Sequence, residues 1–159
     1  MSKSKAEQVY LELRGRMFSG SRAAYGLAAD PSRPWGAVME MGLENASVTV
    51  VAVEDGHASI YLSSGGGFLG GQSHQSIRQA AKNMVSTVSR FQGAMLPAAE
   101  RPLPEDGQVI FYALCDSGIL AASAPESELM SRQHAFTPLF AAAQEIITEY
   151  RLLQEKVKR

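Results

Sequence analysis

The stretch Ser47-Val48-Thr49-Val50-Val51-Ala52-Val53-Glu54-Asp55-Gly56-His57-Ala58-Ser59-Ile60-Tyr61-Leu62-Ser63 decides the fold. Val48, Val50, Val51 and Val53 give Ser47 to Glu54 the β-branched character of a strand. Asp55-Gly56 follows at once and suits a two-residue type I′ turn, in which both central positions take positive φ. His57 to Ser63 then returns antiparallel. This register sets Val53 against Ala58, Val51 against Ile60 and Thr49 against Leu62 on one apolar face. The other face is mixed, with Glu54 opposite His57, Ala52 opposite Ser59 and Val50 opposite Tyr61. A sheet with one fully buried side is expected.

Upstream, Gly36 to Gly42 reads as a further strand, and Ala6, Val9, Tyr10, Leu13 and Met17 recur at the spacing of one buried helical face. Ala23 to Ala29 is read as a short second helical piece, ended by Asp30-Pro31-Ser32-Arg33-Pro34. Downstream, Ser73 is placed to cap a helix whose stripe is Ile77, Ala81, Met84, Val88, Phe91 and Met95. Leu96 to Gly107 carries Pro97, Pro102 and Pro104 and reads as an extended surface loop. Gln108 to Cys115 is apolar on both faces, the pattern of a central strand, and Asp116-Ser117-Gly118 turns it into Ile119 to Ser123. A last helix starts at Thr137 as cap and Pro138 as first position, with Phe136 as staple. Its buried face runs Leu139, Phe140, Ala143, Ile146, Ile147, Tyr150, Leu153 and Val157, and Lys156, Lys158 and Arg159 complement its dipole. The expectation is one α+β domain over residues 1–159: a mainly antiparallel five-stranded sheet with three helices, in the order α-βββ-α-ββ-α.

The chain has 159 residues, 45% hydrophobic and 19% charged, which excludes a disordered tail or a coiled coil as a description of the whole. Fifteen Lys and Arg against sixteen Asp and Glu leave a net charge of -1, without the electrostatic footprint of a nucleic-acid binder. One cysteine, Cys115, excludes an internal disulfide and favours a reducing compartment. No secretory signal is read at Met1 to Glu7 and no run has the length and apolarity of a membrane span, so a soluble cytoplasmic protein is expected.

The segment that stands out chemically is Ser64-Gly65-Gly66-Gly67-Phe68-Leu69-Gly70-Gly71-Gln72-Ser73. Gly65 to Gly70 fits G-x-G-x-x-G, yet it follows an antiparallel hairpin and lacks the acid that a dinucleotide fold places about 20 residues on. Gly66 to Ser73 has P-loop spacing with Gln72 in the lysine position. A less specific anion site remains: Gly65, Gly66, Gly67, Gly70 and Gly71 offer backbone N–H groups, and Ser73, His74 and Arg78 open the helix that follows. His74, Arg78 and Lys82 share a helix face, and no carboxylate lies between Gly56 and Met95. His57 is expected to pair with Glu54 across the hairpin. No H-x-x-x-H, C-x-x-C or G-x-S-x-G spacing occurs, so no metal, cofactor or catalytic residue is assigned.

Tyr112-Ala113-Leu114-Cys115-Asp116-Ser117-Gly118-Ile119-Leu120-Ala121-Ala122-Ser123, flanked by helices, resembles the strand-turn-strand signature of the roadblock and dynein light chain family. That family runs helix, two strands, helix, three strands, helix, and the order here is a permuted version. The resemblance implies a profilin-like sheet and a small dimeric adapter that binds other proteins, often GTPases, without catalysing a reaction. Two functional readings follow. The first is a non-enzymatic interaction module, self-associating as a homodimer or holding a protein partner through a helix face or sheet edge. The second is a small-ligand or anion-binding domain, with or without enzymatic activity, using the glycine-rich loop.

Overall fold

The computed structural model describes residues 3–157. Its elements are α1 (Lys5–Phe18), β1 (Gly36–Gly42), β2 (Ser47–Val53), β3 (Ala58–Leu62), β4 (Gly67–Phe68), α2 (Gln75–Phe91), β5 (Leu96–Pro97), β6 (Gln108–Cys115), β7 (Gly118–Pro125), α3 (Glu126–Met130) and α4 (Thr137–Val157). The strands form one seven-stranded sheet in the order β4-β3-β2-β1-β6-β7-β5, and every neighbouring pair is antiparallel.

The overall class is α+β, but the count of five strands and three helices is wrong. The two extra strands are two residues long and lie in segments whose glycines and prolines read as loop. Gly67 and Phe68 pair with Tyr61 and Ile60, while Leu96 and Pro97 pair with Ala121 and Leu120. The extra helix, α3, has five residues, too few to show a helical period. Ala23–Tyr25 forms a single 3-10 turn in place of the longer helical piece.

The hairpin register is also corrected, by one residue. Val53 N–H donates to the His57 carbonyl and Gly56 N–H donates to the Val53 carbonyl, so three residues form the loop and Gly56 (φ +102°) takes the left-handed position. The Asp55 carboxylate supports this turn by accepting from the His57 N–H at 3.0 Å. Ala58, Ile60 and Leu62 therefore oppose Ala52, Val50 and Val48.

That register makes one face of the sheet apolar across its width. Ala122, Phe111, Met39, Val50, Ile60 and Phe68 follow one another from strand to strand. α2 and α4 cover this face with Ile77, Ala81, Met84, Val88, Leu139, Ala143 and Ile146, all fully buried. Burial of each large side chain here is worth about 1.5–3 kcal/mol. On the opposite face the matching row reads Ser123, Ile110, Glu40, Thr49, Tyr61 and Gly67, and α1 lies over part of it.

The helix ends depart from expectation in detail. His74, not Ser73, holds the cap position of α2, without a side-chain capping bond. At α4, Thr137 Oγ1 is the one buried side-chain oxygen or nitrogen without a hydrogen-bond partner among the described residues, so it does not cap. His134 Nδ1 instead accepts from the Phe136 N–H at 3.0 Å. Val157 is 80% exposed rather than buried, and Lys158 and Arg159 lie outside the described residues.

Candidate functional site

The glycine-rich connection is ordered by the sheet. Gly65 and Gly66 form the turn into β4 and face α1 near Ala6, whereas Gly67 sits tightly against the Ile60 carbonyl as a strand residue. Phe68 stacks on Tyr150 with ring centroids 4.7 Å apart. Gly71 lies against the Tyr150 hydroxyl, which donates to the Ala58 carbonyl at 2.5 Å. The loop thus locks the end of α4 to β3. All five glycines take positive φ, but Gly65 and Gly66 turn toward α1, the Gly70 carbonyl accepts from the Ala58 N–H, and Gly71 lies against α2 and α4.

Ser73 and His74 are exposed at the start of α2. The Arg78 aliphatic chain packs over Gly56, and its Nη1 donates to the Gln72 carbonyl at 2.8 Å. That cation closes the loop onto its own helix. Lys82 stands one turn further, on a different groove.

Two buried ionic clusters are absent from the sequence reading. Under α1, Glu40 is 0% exposed and held by Arg14, with Nε to Oε2 at 2.7 Å and Nη2 to Oε1 at 2.8 Å. Thr49 Oγ1 donates to Glu40 Oε2 at 2.7 Å, so Tyr10 Oη, 2.7 Å from Thr49, is the donor of that pair. Arg14 Nη2 also donates to the Arg101 carbonyl at 2.8 Å, and Arg14 and Arg101 both lie over the Phe18 ring. Tyr112 meets the edge of that ring at 4.8 Å. Burial, then the Glu40 charge, pushes the Tyr112 hydroxyl up to about 12.

The second cluster centres on Arg22, 4% exposed. Its Nε donates to Asp116, its Nη1 to Glu54 and the Ala28 carbonyl, and its Nη2 to the Asp30 and Arg33 carbonyls, all within 3.2 Å. All five N–H directions of the guanidinium are thereby used, which makes Arg22 the anchor of the segment between α1 and β1. His57 pairs with Asp55 (Nδ1 to Oδ2, 2.6 Å) rather than with Glu54, whose oxygens go to Arg22 and Arg33. Burial, and then Asp116, pushes the Cys115 thiol up, away from nucleophile chemistry. Among the described residues no group of three or more His, Cys, Asp or Glu is arranged to hold a metal ion, and no helix is long and apolar enough to cross a membrane.

One open recess lies beside the first of these clusters and shares Tyr112 with it. α1 covers the β1–β3 half of its face and reaches β6 through Phe18, and the segment from Leu96 to Pro102 borders the rest of the β6–β7 half. The groove between them is about 620 Å³, with Ile110, Tyr112, Ala121 and Ala98 as its apolar walls. Leu96 stands at its rim, on the same face as its partner Ala121, and is 75% exposed. The sequence shows Leu96 only as one apolar residue among prolines, so neither recess nor projection could be read from it.

No protein-family model, curated protein or solved structure matches this chain.

Proposed function

We propose that the protein is a non-enzymatic interaction module that works as a homodimer, docking through the β6–β7 end of its sheet. The observation that carries this reading is the exposed Leu96 beside an apolar groove on the same face. A two-fold interface puts one surface patch against itself, so it needs a projection and a recess side by side. Leu96 of one copy entering the groove of the second, and the reverse, meets that need with one kind of contact made twice. β7 adds to it: beyond Leu120 and Ala121 its outer edge has no strand partner among the described residues.

The satisfied state of the buried charges supports a scaffold rather than a catalyst. Glu40 and Arg14 bind one another, and Arg22, although it borders a recess with Cys115 and Asp116, has every N–H taken by Glu54, Asp116 and backbone carbonyls. The family resemblance to roadblock and dynein light chain proteins belongs to the same proposal, as does a reducing, cytoplasmic setting for the single free thiol of Cys115.

Sedimentation equilibrium tests the reading directly. The expected result is a dimer at micromolar concentration that Leu96→Glu converts to a monomer with an unchanged circular dichroism spectrum. Leu152→Glu, at an exposed leucine on α4, keeps the dimer. A monomeric wild-type protein, or a Leu96→Glu protein that remains dimeric, overturns it.

A further inference from the structure

α2 carries Arg78, Lys82 and Arg90 and no carboxylate along its whole length. Arg78 is engaged with the Gln72 carbonyl, but Lys82 has no ionic or hydrogen-bond partner among the described residues. Arg90 reaches only the Thr87 hydroxyl, at 3.5 Å. Both side chains border a groove of about 450 Å³ between the outer face of α2 and the segment at Arg33 and Pro34. Ser86 and Ser89 lie between them along the same wall.

The far wall completes the electrostatics. Arg33 lines the groove, and its Nη2 meets Glu54 Oε1 at 2.5 Å, while Arg22 takes Glu54 Oε2 at 2.9 Å. The single carboxylate lining the groove therefore has both oxygens occupied, and although Arg33 also meets Asp30 at 3.3 Å, Lys82 and Arg90 leave the lining net positive. Just past the end of α2, Gln92 Nε2 donates to the Ser32 carbonyl at 3.4 Å, a contact between the helix side and the opposite segment. The helix dipole accounts for Arg90 in the last turn, but it acts only within the end turns and gives nothing to Lys82 in mid-helix.

We infer that this groove binds a small oligophosphate anion, with Lys82, Arg90 and Arg33 as its charged contacts and Ser86 and Ser89 as hydroxyl donors. The eight residue steps from Lys82 to Arg90 span about 12 Å of helix rise, a separation that two long side chains close around a chain of phosphates more readily than around one. The charge-assisted bonds formed there are the strong kind, because Lys82 and Arg90 stand on one rigid helix with no carboxylate partner among the described residues to give up, while Arg33 is shared with Glu54 and Asp30. The ligand class is a linear di- or triphosphate, free or as the phosphate end of a nucleotide. The site is separate from the Leu96 groove, and its failure leaves the dimer reading untouched.

Calorimetric titration of the full chain with inorganic tripolyphosphate, and in a parallel arm with a nucleoside triphosphate, tests the site. Binding of either probe is expected, with the tighter arm identifying the free or nucleotide source. Lys82→Gln/Arg90→Gln should weaken it by about ten-fold or more, the scale of losing charge-assisted hydrogen bonds. Both residues are exposed, so the variant folds, and an unchanged melting temperature without ligand verifies it. Arg151→Gln/Lys156→Gln makes the same charge change on α4 and should leave the affinity unaltered. No binding by either probe, or equal weakening by the two double variants, overturns the inference.

Discussion

Arg14 closes on Glu40 through two parallel hydrogen bonds, although α1 and β1 contribute one residue each and Glu40 is wholly buried. The pair fastens α1 to the sheet with a planar fork that lysine cannot reproduce. Arg14→Met leaves a buried carboxylate whose remaining side-chain donor is Thr49, and we expect a loss of about 3–5 kcal/mol in urea unfolding. Arg14→Met/Glu40→Leu should recover much of that loss. A double variant as unstable as the single one contradicts this account of the pair.

Arg22 poses a related test with a different readout. Arg22→Lys retains the charge but cannot fill five directions at once, so the carbonyls of Ala28, Asp30 and Arg33 lose their donor. The expected outcome is faster hydrogen exchange and proteolysis between Ser19 and Trp35, with a stability loss of about 1–3 kcal/mol. Unchanged exchange in that segment would show that the loop is held by other contacts.

Gly71 and Tyr150 should behave as a coupled pair. A Cβ at Gly71 overlaps the Tyr150 hydroxyl and takes a strained φ of +68°. Gly71→Ala is therefore expected to cost more in the wild type than in a Tyr150→Phe background, where part of the overlap is gone. The difference is about 0.5–3 kcal/mol, the range for residues in contact, and a double-mutant cycle measures it. Simple additivity would place the two side chains apart.

Tyr112 gives the pH dependence a sign. Its hydroxyl titrates at 10.0 in the reference state and is pushed up to about 12 in the fold, first by burial and then by Glu40. The folded protein holds the proton longer, so this contribution is fully present below about pH 10 and is lost as the pH rises through about 12. Tyr10, Tyr25, Tyr61 and Tyr150 are also raised, each chiefly by burial. Alkaline unfolding and the appearance of phenolate absorbance should thus coincide. Tyr112→Phe should flatten the decline between about pH 10 and about pH 12 by an amount of order 2 kcal/mol. An equally steep decline in the variant removes Tyr112 as a cause.

The long strands are legible because their information is local. β1 and β6 have the bounds that the alternation and apolar runs predict, Gly36–Gly42 and Gln108–Cys115. The hairpin register is not local in the same way, since Asp55 bonding to the His57 N–H favours a three-residue loop over the two-residue turn that Asp-Gly suggests. β4 and β5 exist only because a neighbouring strand offers partners, and nothing in two residues announces that. The ionic clusters join residues 26 and 94 positions apart, as in Arg14–Glu40 and Arg22–Asp116, beyond any motif spacing. Of the expected anion site, the structure puts Ser73, His74 and Arg78 at one helix start, but the glycines are distributed along a strand pairing and a helix contact.

The two coverings of the sheet differ in kind. α2 and α4 bring a broad apolar surface to their side, whereas α1 buries fully only Tyr10 and Met17 and is fixed through Tyr10–Thr49 and Arg14–Glu40. A helix fastened by clasps exposes little hydrocarbon when it lifts away. Its detachment should therefore carry a small heat-capacity change and a shallow denaturant slope, while opening of the opposite side carries large values of both. One sheet thus has two thermodynamic temperaments: an oily side that fails all at once, and a bolted side that can come undone before the rest takes notice.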